Sequence, residues 1–251
     1  MAGKSISGKP IIEVRNLVAK YGDTTVLDDV SLDVEESEIK VILGTSGCGK
    51  TTLLKNILGL IRPYSGSVKI FDREVGELDS EVTSDILKQT GVLFQNGALL
   101  GSMTVGENVA LPLKMHTSLP EKVIDEIVQL KLSQVGLPDT AELHPGELSG
   151  GMKKRAAMAR ALALDPPLLF CDEPSAGLDP VTAKGLDELL LRIREMLGIT
   201  IFAITHELLS IKYISDNIIF LNKGRILYDG SLEDALKEKE GPVFNFFNRS
   251  K

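Results

Sequence analysis

The stretch that decides the fold spans residues 41–52 and reads VILGTSGCGKTT. It joins a short apolar run, VIL, to the helical pattern LLKNILGLI through a loop with glycines at positions 44, 47 and 49. A strand, the spacing G-x-x-x-x-G-K-T and a helix, in this order, form the pattern of a phosphate-binding loop, or P-loop. A glycine-rich turn that binds no ligand is the alternative, and the strand and helix on either side argue against it.

The residue types of this loop predict how it would hold a nucleotide. Its glycines let backbone N–H groups turn inward around phosphate oxygens without Cβ clashes, and the helix that follows adds its positive N-terminal end. Lys50 would bridge the β and γ phosphates, and the Thr51 hydroxyl would bind Mg²⁺. Cys48 would face the nucleotide, with a small tolerated residue as the alternative. The predicted contacts of the loop are Gly44, Thr45, Ser46, Gly47, Cys48, Gly49, Lys50, Thr51 and Thr52.

A second candidate site follows the apolar run LLFC, which brings Asp172 and Glu173 to the end of a predicted buried strand. Open α/β sheets bind ligands at the carboxyl ends of their strands. Asp172 could hold Mg²⁺ through its water shell, and Glu173 could accept a proton from a water that attacks the γ-phosphate. The alternative is a solvated turn, because Asp-Glu-Pro is common at strand ends.

A third pattern, LSGGM at residues 148–152, precedes the helical stretch KKRAAMARALAL. Ser149 is predicted to cap that helix, and Gly150 and Gly151 would let an anion approach the backbone closely. A helix cap without any ligand explains the isolated pattern equally well.

Apolar periodicity predicts an α/β fold. After residue 160, helical and strand patterns alternate in units of about 30 residues, which is typical of a parallel sheet with crossover helices. Residues 96–147 show no strand pattern, and within them Ser118 and Glu121 predict a capping box for a helix that Gly136 ends. Strands are predicted at Ile11–Leu17, Val30–Val34, Ile39–Leu43, Val68–Phe71, Gly91–Phe94, Leu168–Cys171, Thr200–Ile204, Ile218–Leu221 and Ile226–Tyr228.

The composition restricts the classes of function. With 28 Lys+Arg against 35 Asp+Glu, the formal net charge is -7, which disfavours binding along a nucleic acid backbone. No apolar run approaches the roughly 18 to 20 residues of a membrane-spanning helix, and residues 1–10 lack the apolar core of a signal peptide. We therefore expect a cytoplasmic protein, with Cys48 and Cys171 as free thiols.

Together the motifs resemble those of the ATP-binding cassette ATPases. The P-loop is followed in order by Gln95, LSGGM, LLFCDE, SAGLDP and Thr205-His206, and the resemblance extends from Tyr21 to at least Gly230. It implies a mixed sheet core, an antiparallel β subdomain and an inserted α-helical subdomain. The implied division of the single domain, 11–251, is a sheet core at 11–95 and 160–230, a helical subdomain at about 96–159 and a C-terminal extension at 231–251.

The resemblance also implies roles for individual residues. Tyr21 would stack on adenine, Gln95 would contact Mg²⁺ and sense a membrane partner, and His206 would hold the γ-phosphate. A sheet-edge aromatic remains the alternative for Tyr21, and a core histidine that caps the next helix remains the alternative for His206. The implied catalytic residues are Glu173, His206, Lys50 and Gln95, and the implied Mg²⁺ ligands are Thr51, Gln95 and Asp172.

In this family two cassettes hold two ATP molecules head to tail. The resemblance therefore implies that Ser149, Gly150 and Gly151 of one subunit reach the nucleotide on the P-loop of the other, with Asp179 at the dimer seam. The chain has one P-loop and one LSGGM motif, so a second cassette is expected, most simply another copy. One departure from the family pattern is Met152, which replaces the usual glutamine.

Two longer stretches, LFQNGALLGSMTVGENVALPL and SGGMKKRAAMARALALDP, are similar to the ATPase of Mla-type phospholipid transport systems. This similarity implies a membrane permease and an MCE-domain lipid-binding protein as partners, and a peripheral location on the inner face of the cell membrane. An ATPase for lipoprotein release or small-solute transport, and a soluble cassette ATPase without a transport role, remain alternatives. The C-terminal GPVFNFFNRSK would either contact a neighbour or pack back on its own chain.

Overall fold

The computed structural model describes residues 9–76 and 80–248. Within them the chain forms two sheets and a set of helices. The strands are β1 (Ile12–Tyr21), β2 (Thr24–Val34), β3 (Ile39–Leu43), β4 (Ser65–Ile70), β5 (Arg73–Glu74), β6 (Thr90–Leu93), β7 (Leu168–Asp172), β8 (Thr200–Ile204), β9 (Asn217–Asn222) and β10 (Arg225–Ser231). The helices are α1 (Lys50–Ile57), α2 (Glu81–Lys88), α3 (Val105–His116), α4 (Glu121–Gln134), α5 (Gly150–Ala161), α6 (Pro180–Leu197), α7 (Leu208–Ile214), α8 (Leu232–Lys237) and α9 (Gly241–Asn248).

The larger sheet has the strand order β10-β9-β3-β8-β7-β6. Its strands pair in parallel except for β10, which is antiparallel to β9, so the sheet is mixed. The strands that pair in parallel here are well separated in sequence, which requires the crossover helices that the periodicity predicted. The predicted α/β class and mixed sheet core are confirmed.

The parallel strands are buried on both faces, which explains their uninterrupted apolar sequences. In β8, Ile201 and Ala203 pack into one core, while Phe202 and Ile204 pack into a second core on the opposite face. The first core also contains the apolar sides of α3, α4 and α5, and the second contains those of the smaller sheet and α1. The sheet is thus the middle layer between two hydrophobic cores.

The smaller sheet is antiparallel and has the order β2-β1-β4-β5. The sequence predicted parts of β1, β2 and β4, but it did not predict β5. This strand consists of Arg73 and Glu74 alone, too short to show an alternation of apolar and polar residues. The antiparallel β subdomain implied by the family resemblance is confirmed.

Helices occupy the segment between the two portions of the large sheet, as expected for an inserted helical subdomain. The prediction of a capping box at Ser118 was wrong, because α4 begins at Glu121 with Pro120 in the N-cap position and no side-chain cap. A capping box is found instead at the start of α3, between Thr104 and Glu107. Gly136, with φ of +72°, follows the end of α4 as predicted. The subdomain bounds given above remain predictions.

The C-terminal aromatic segment packs back on its own chain over its described part. The Phe246 ring meets the rings of Phe220 in β9 and Phe247 at centroid distances of 5.5 and 5.6 Å. Val243 and Phe247 are buried. Residues 249–251 of the predicted extension, and residues 1–8, where no apolar core of a signal peptide was predicted, lie outside the described residues. Among the described residues, no helix is both long and apolar enough to cross a bilayer.

One buried carboxyl group stands out in the packing of α6 against α7. Asp187 lies in α6 and is buried, and its Oδ1 atom has no hydrogen-bond partner among the described residues. Burial raises the pKa of Asp187 to about 6, against a hydrogen bond from Ser210 that lowers it, and the nearby charge of Glu207 raises it further. The protonated form of Asp187 is therefore favoured in the fold relative to the unfolded chain, where the pKa is near 3.8.

We predict that this residue makes folding stability depend on pH. Because the folded pKa lies above the unfolded one, the stability that Asp187 contributes is fully present below about pH 4. It is lost as the pH rises through about 6, and the free energy of unfolding does not change further on account of this residue above that pH. The loss amounts to about 3 kcal/mol. Urea unfolding of wild type and Asp187→Asn between pH 4 and 8 measures this loss, since the amide side chain of the variant does not ionise at these pH values. A stability difference between the two proteins that is independent of pH would contradict the prediction.

Candidate functional site

A cleft of about 660 Å³ lies over the carboxyl edge of the large sheet. Four neighbouring strands, β3, β8, β7 and β6, end at this edge, and a predicted functional segment follows each of them. The predicted residues that line the cleft are Gly44, Thr45, Ser46, Gly47, Gly49, Lys50, Thr51, Thr52, Gln95, Asp172, Glu173 and His206.

Strand register explains why these residues meet. Ile42 of β3 pairs with Ile204 of β8, and Ile204 pairs with Asp172 of β7. Since the strands are parallel and in register, the residues just beyond each of these positions leave the sheet side by side. Within two residues after this row come Gly44, His206 and Glu173. The phosphate loop, the histidine and the acid therefore lie at the same edge of the large sheet.

Close packing of the backbone forces glycine at two positions of the P-loop. A Cβ atom at Gly44 would lie 2.0 Å from the carbonyl oxygen of Leu221, and one at Gly49 would lie 2.7 Å from Leu27 Cδ2. Gly49 also has φ of +111°, a conformation that side chains oppose. The loop is thus held tightly against β2 and β9 while its other side faces the cleft.

The start of α1 fits an anionic group. Its N-cap residue is Gly49, and the first turn has neither a side-chain cap nor an acidic residue. The first N–H groups of the helix therefore have no side-chain acceptor, and the helix dipole adds positive potential. The Lys50 ammonium lies in the same loop and donates to the carbonyls of Gly44 and Thr45 at 2.9 and 3.2 Å. Donors and charge together suit a polyphosphate.

The acid pair is electrostatically strained. Burial raises the pKa of Asp172, and the charge of Glu173 raises it further, against attraction by Lys154, Lys50 and Lys55. Glu173 has φ of +46°, an unfavourable backbone conformation for a residue with a side chain. Conformations of this kind persist only where the surroundings hold them, and they cluster at functional sites.

The two carboxylate oxygens of Glu173 have different surroundings. Oε1 lies 2.8 Å from Nδ1 of His206, which fixes the imidazole at the edge of the cleft. Oε2 is buried and has no hydrogen-bond partner among the described residues. An unpaired carboxylate oxygen beside a polyphosphate site is suited to accept a proton from water.

Three oxygen-bearing side chains of the cleft also fit a magnesium ion. Thr51, Gln95 and Asp172 line the same cleft and offer hydroxyl, amide and carboxylate oxygens. Mg²⁺ prefers oxygen ligands and is usually bound by few protein groups together with substrate phosphates. A cation there would also offset the charge of the half-buried acid pair.

Apart from Cys48, five predicted nucleotide contacts lie outside this cleft. Tyr21 is exposed at the end of β1, and Ser149 accepts a hydrogen bond from the backbone of Met152 as the predicted N-cap of α5. Asp179 caps α6 by accepting from the backbone N–H groups of Val181 and Thr182. The other two residues outside the cleft, Gly150 and Gly151, begin α5. These positions are the ones for which the resemblance implies contact with a partner subunit or with adenine.

Two results differ from the sequence predictions for individual side chains. Cys48 does not line the cleft, because its side chain is buried in the second core, with its Sγ atom close to Gly44. The cleft is also lined by Val26, Leu208 and Phe246, which the sequence did not predict. Apolar lining residues carry no motif, and only the aromatic pattern of the C-terminal segment could have directed attention to Phe246.

Comparisons with known proteins agree on one family. The family model described as ABC transporter matches residues 27–176. A probable ribonucleotide transport ATP-binding protein, mkl of Mycobacterium leprae, is 41% identical over 94% of this chain and 68% of its own length. The intermembrane phospholipid transport system ATP-binding protein MlaF of Haemophilus influenzae is 39% identical over 94% of this chain and 89% of its own length.

Solved structures give the same result. A dimeric ATP-binding cassette in a post-hydrolysis state, bound to ADP and phosphate, superposes with a TM-score of 0.80 at 30% identity. The match covers 88% of this chain and 98% of that one. The molecule of that structure is a dimer with its hydrolysis products bound.

We predict that Lys50→Ala weakens ATP binding by about tenfold or more, because the variant loses a charge-assisted contact to phosphate. Isothermal titration and the ATP-induced rise in melting temperature measure the effect. Lys55→Ala is the matched control, since Lys55 is exposed on the same helix and lies outside the cleft. Equal ATP affinity in wild type and Lys50→Ala would contradict the assignment.

We predict that Glu173→Gln binds ATP normally and hydrolyses it at least about a hundredfold more slowly, because an amide cannot accept the proton of the attacking water. The unhydrolysed nucleotide should also hold two subunits together, which light scattering detects as a dimer with ATP and a monomer with ADP. Hydrolysis at the wild-type rate would remove Glu173 from the reaction.

Proposed function

The chain belongs to the ABC transporter family of ATP-hydrolysing cassettes, and we propose that it powers an Mla-type system that moves phospholipids across or between bacterial membranes. The observation that carries the proposal is the 39% identity to a phospholipid transport ATPase over 89% of that relative's length. The relative named for ribonucleotide transport is matched over only 68% of its length. Phospholipid is therefore the cargo that the similarity favours.

In this proposal the P-loop holds the triphosphate of ATP. Backbone N–H groups at the start of α1 donate to phosphate oxygens, and the Lys50 ammonium turns from the carbonyls of Gly44 and Thr45 to the β and γ phosphates. Tyr21, exposed at the end of β1, stacks on the adenine. Mg²⁺ held by Thr51, Gln95 and Asp172 would neutralise charge on the β and γ phosphates.

Hydrolysis uses the two oxygens of Glu173 for different tasks. Oε2, which has no partner among the described residues, accepts the proton of the water that attacks the γ-phosphate. Oε1 keeps the His206 ring in place through the contact of 2.8 Å, so that its other nitrogen can reach the γ-phosphate. Breakage of the bond to the γ-phosphate gives ADP and inorganic phosphate.

The second half of each site comes from another copy of the chain. Ser149, Gly150 and Gly151 begin α5 away from the cleft of their own subunit, and Asp179 begins α6 in the same way. In a head-to-tail dimer these residues complete the partner's nucleotide site. ATP then favours the closed dimer because both subunits bind it, and hydrolysis removes that shared contact.

A membrane permease is the partner that the surface after β6 suits. Phe94 and Leu100 are 39% and 43% exposed on either side of the Gln95 loop, where a partner can cover both apolar side chains. Arg160 of α5 holds this loop by donating to the carbonyls of Gly97 and Ala98 at 2.9 and 2.7 Å. The loop thus presents apolar side chains in a fixed shape next to the nucleotide.

With a permease bound there, the chain is peripheral on the inner face of the cell membrane. An MCE-domain lipid-binding protein would complete a transporter of the Mla type and receive or deliver the phospholipid. The chain itself provides energy to this assembly through the opening and closing of its dimer.

We predict that wild type purifies from membranes with a permease and an MCE-domain protein, and that Leu100→Glu loses both, because a charge cannot be buried at the contact. Leu130→Glu is the matched control, since Leu130 is exposed on α4 and lies far along the chain from the loop. Mass spectrometry of the detergent-solubilised complex identifies the partners.

Both variants should bind ATP as wild type does, which shows that they are folded. Recovery of a permease without any MCE-domain protein would contradict the phospholipid proposal. Recovery with ribosomes in place of a permease would favour a cassette ATPase outside transport.

A further inference from the structure

Lys154 is a buried lysine in the helix that follows the LSGGM motif. It lies in α5, and only 6% of its surface is exposed. Its neighbour Lys153 is half-buried, and the Lys153 side chain forms no hydrogen bond or ion pair within the described residues. The two adjacent lysines thus have different surroundings, and the charged group of Lys154 is shielded from water.

The Lys154 ammonium joins two loops of the nucleotide site. It donates to the carbonyl oxygen of Gln95, in the loop after β6, and to the carbonyl oxygen of Glu173, after β7, at 3.2 Å. The two strands are parallel neighbours in the sheet. A single side chain therefore connects α5 with the Gln95 loop and with the backbone of Glu173.

This arrangement has an energetic cost. Burial lowers the pKa of Lys154, while the charges of Asp172 and Glu173 act in the opposite direction. A buried ammonium is tolerated where hydrogen bonds and opposite charges compensate for lost hydration, and an apolar residue at such a position is often no less stable. Its contacts to two functional loops are the feature that an apolar residue would not provide.

The contact also bears on the strained backbone of Glu173. That residue has positive φ, and the neighbouring backbone bond, from Glu173 N–H to the carbonyl of Ile204, is 2.8 Å. Lys154 and the backbone N–H of Ala176, at 3.2 Å each, donate to the carbonyl on the other side of the same residue. Together these bonds fix the peptide groups from which the Glu173 carboxylate projects.

We propose that Lys154 is a positioning residue that couples the Gln95 loop to Glu173, so that a partner bound at the loop sets the position of the catalytic carboxylate. The inference rests on the proposed function, in which that loop meets the permease. Arg160 fixes the same loop to α5, and Lys154 extends this connection to β7. Movement of the loop with α5 is then transmitted to the backbone of Glu173 through one ammonium group.

The test uses the full chain, alone and in its complex with the permease. Lys154→Met removes both hydrogen bonds while the side chain keeps a similar length. Lys154→Arg keeps the charge and N–H donors. Lys153→Met is the matched control one residue away. For each protein, kcat and KM for ATP, ATP affinity, melting temperature and the stimulation of hydrolysis by the permease are measured.

We expect Lys154→Met to lower kcat by about tenfold or more while ATP affinity stays within about twofold of wild type, because Lys154 lies outside the cleft. Stimulation by the permease should fall in the same variant, and Lys154→Arg should restore a large part of both. Lys153→Met should behave as wild type. If melting shows that Lys154→Met is not folded, Lys154→Leu, which also lacks a donor, takes its place, with the same expectations.

Wild-type kcat and stimulation in Lys154→Met would overturn the inference. It would also be overturned if kcat, ATP affinity and melting temperature fell together, or if Lys153→Met showed the same loss, since both results indicate a general structural effect. Failure of the proposed function is recognised separately, by normal hydrolysis in Glu173→Gln or by a complex that lacks the permease.

Discussion

The parallel pairing of β3, β8, β7 and β6 is the interaction on which the nucleotide site depends. Each of these strands ends at the same edge, and the register from Ile42 through Ile204 to Asp172 aligns the residues that follow. Neighbouring strands are about 4.8 Å apart, so segments separated by more than a hundred residues in sequence meet within the length of one nucleotide. A slip of one residue in any pair would turn buried apolar side chains of that strand to the wrong face, and both cores oppose it.

The parts of this arrangement that the sequence predicts are those with a local cause. The bounds of β3 and β8 agree with their apolar runs, and the P-loop spacing predicts a glycine at position 44, where a Cβ would meet the backbone of Leu221. Other features depend on contacts that no local pattern reports. Cys48 turns into the core because β2 and β9 enclose that side of the loop, and Lys154 contacts Gln95 and Glu173 only because β6 and β7 are neighbours.

In the proposed dimer, the division of the nucleotide site between subunits follows from where its helices begin. The N-terminus of α1 faces the cleft with its N–H groups free of side-chain caps, whereas Ser149 and Asp179 cap α5 and α6 at positions outside it. The start of α5 thus lies apart from the phosphate loop of its own subunit. One triphosphate can contact both kinds of helix start only if a second chain contributes one of them, which makes nucleotide binding and dimer closure a single equilibrium.

Such an equilibrium is useful to a transporter only if the permease can influence ATP hydrolysis. The buried charges next to the cleft indicate the part of the structure through which it does so. Asp172 and Glu173 repel each other in a half-buried setting, and Lys154 supplies the compensating charge from behind them. Because this lysine also bonds to the Gln95 loop, a displacement of that loop changes both the position of the Glu173 backbone and the field at the acid pair. Electrostatic interactions in a partly dehydrated site are strong and depend steeply on distance. In the proposed coupling, movement of the Gln95 loop therefore makes hydrolysis respond to a permease bound outside the cleft.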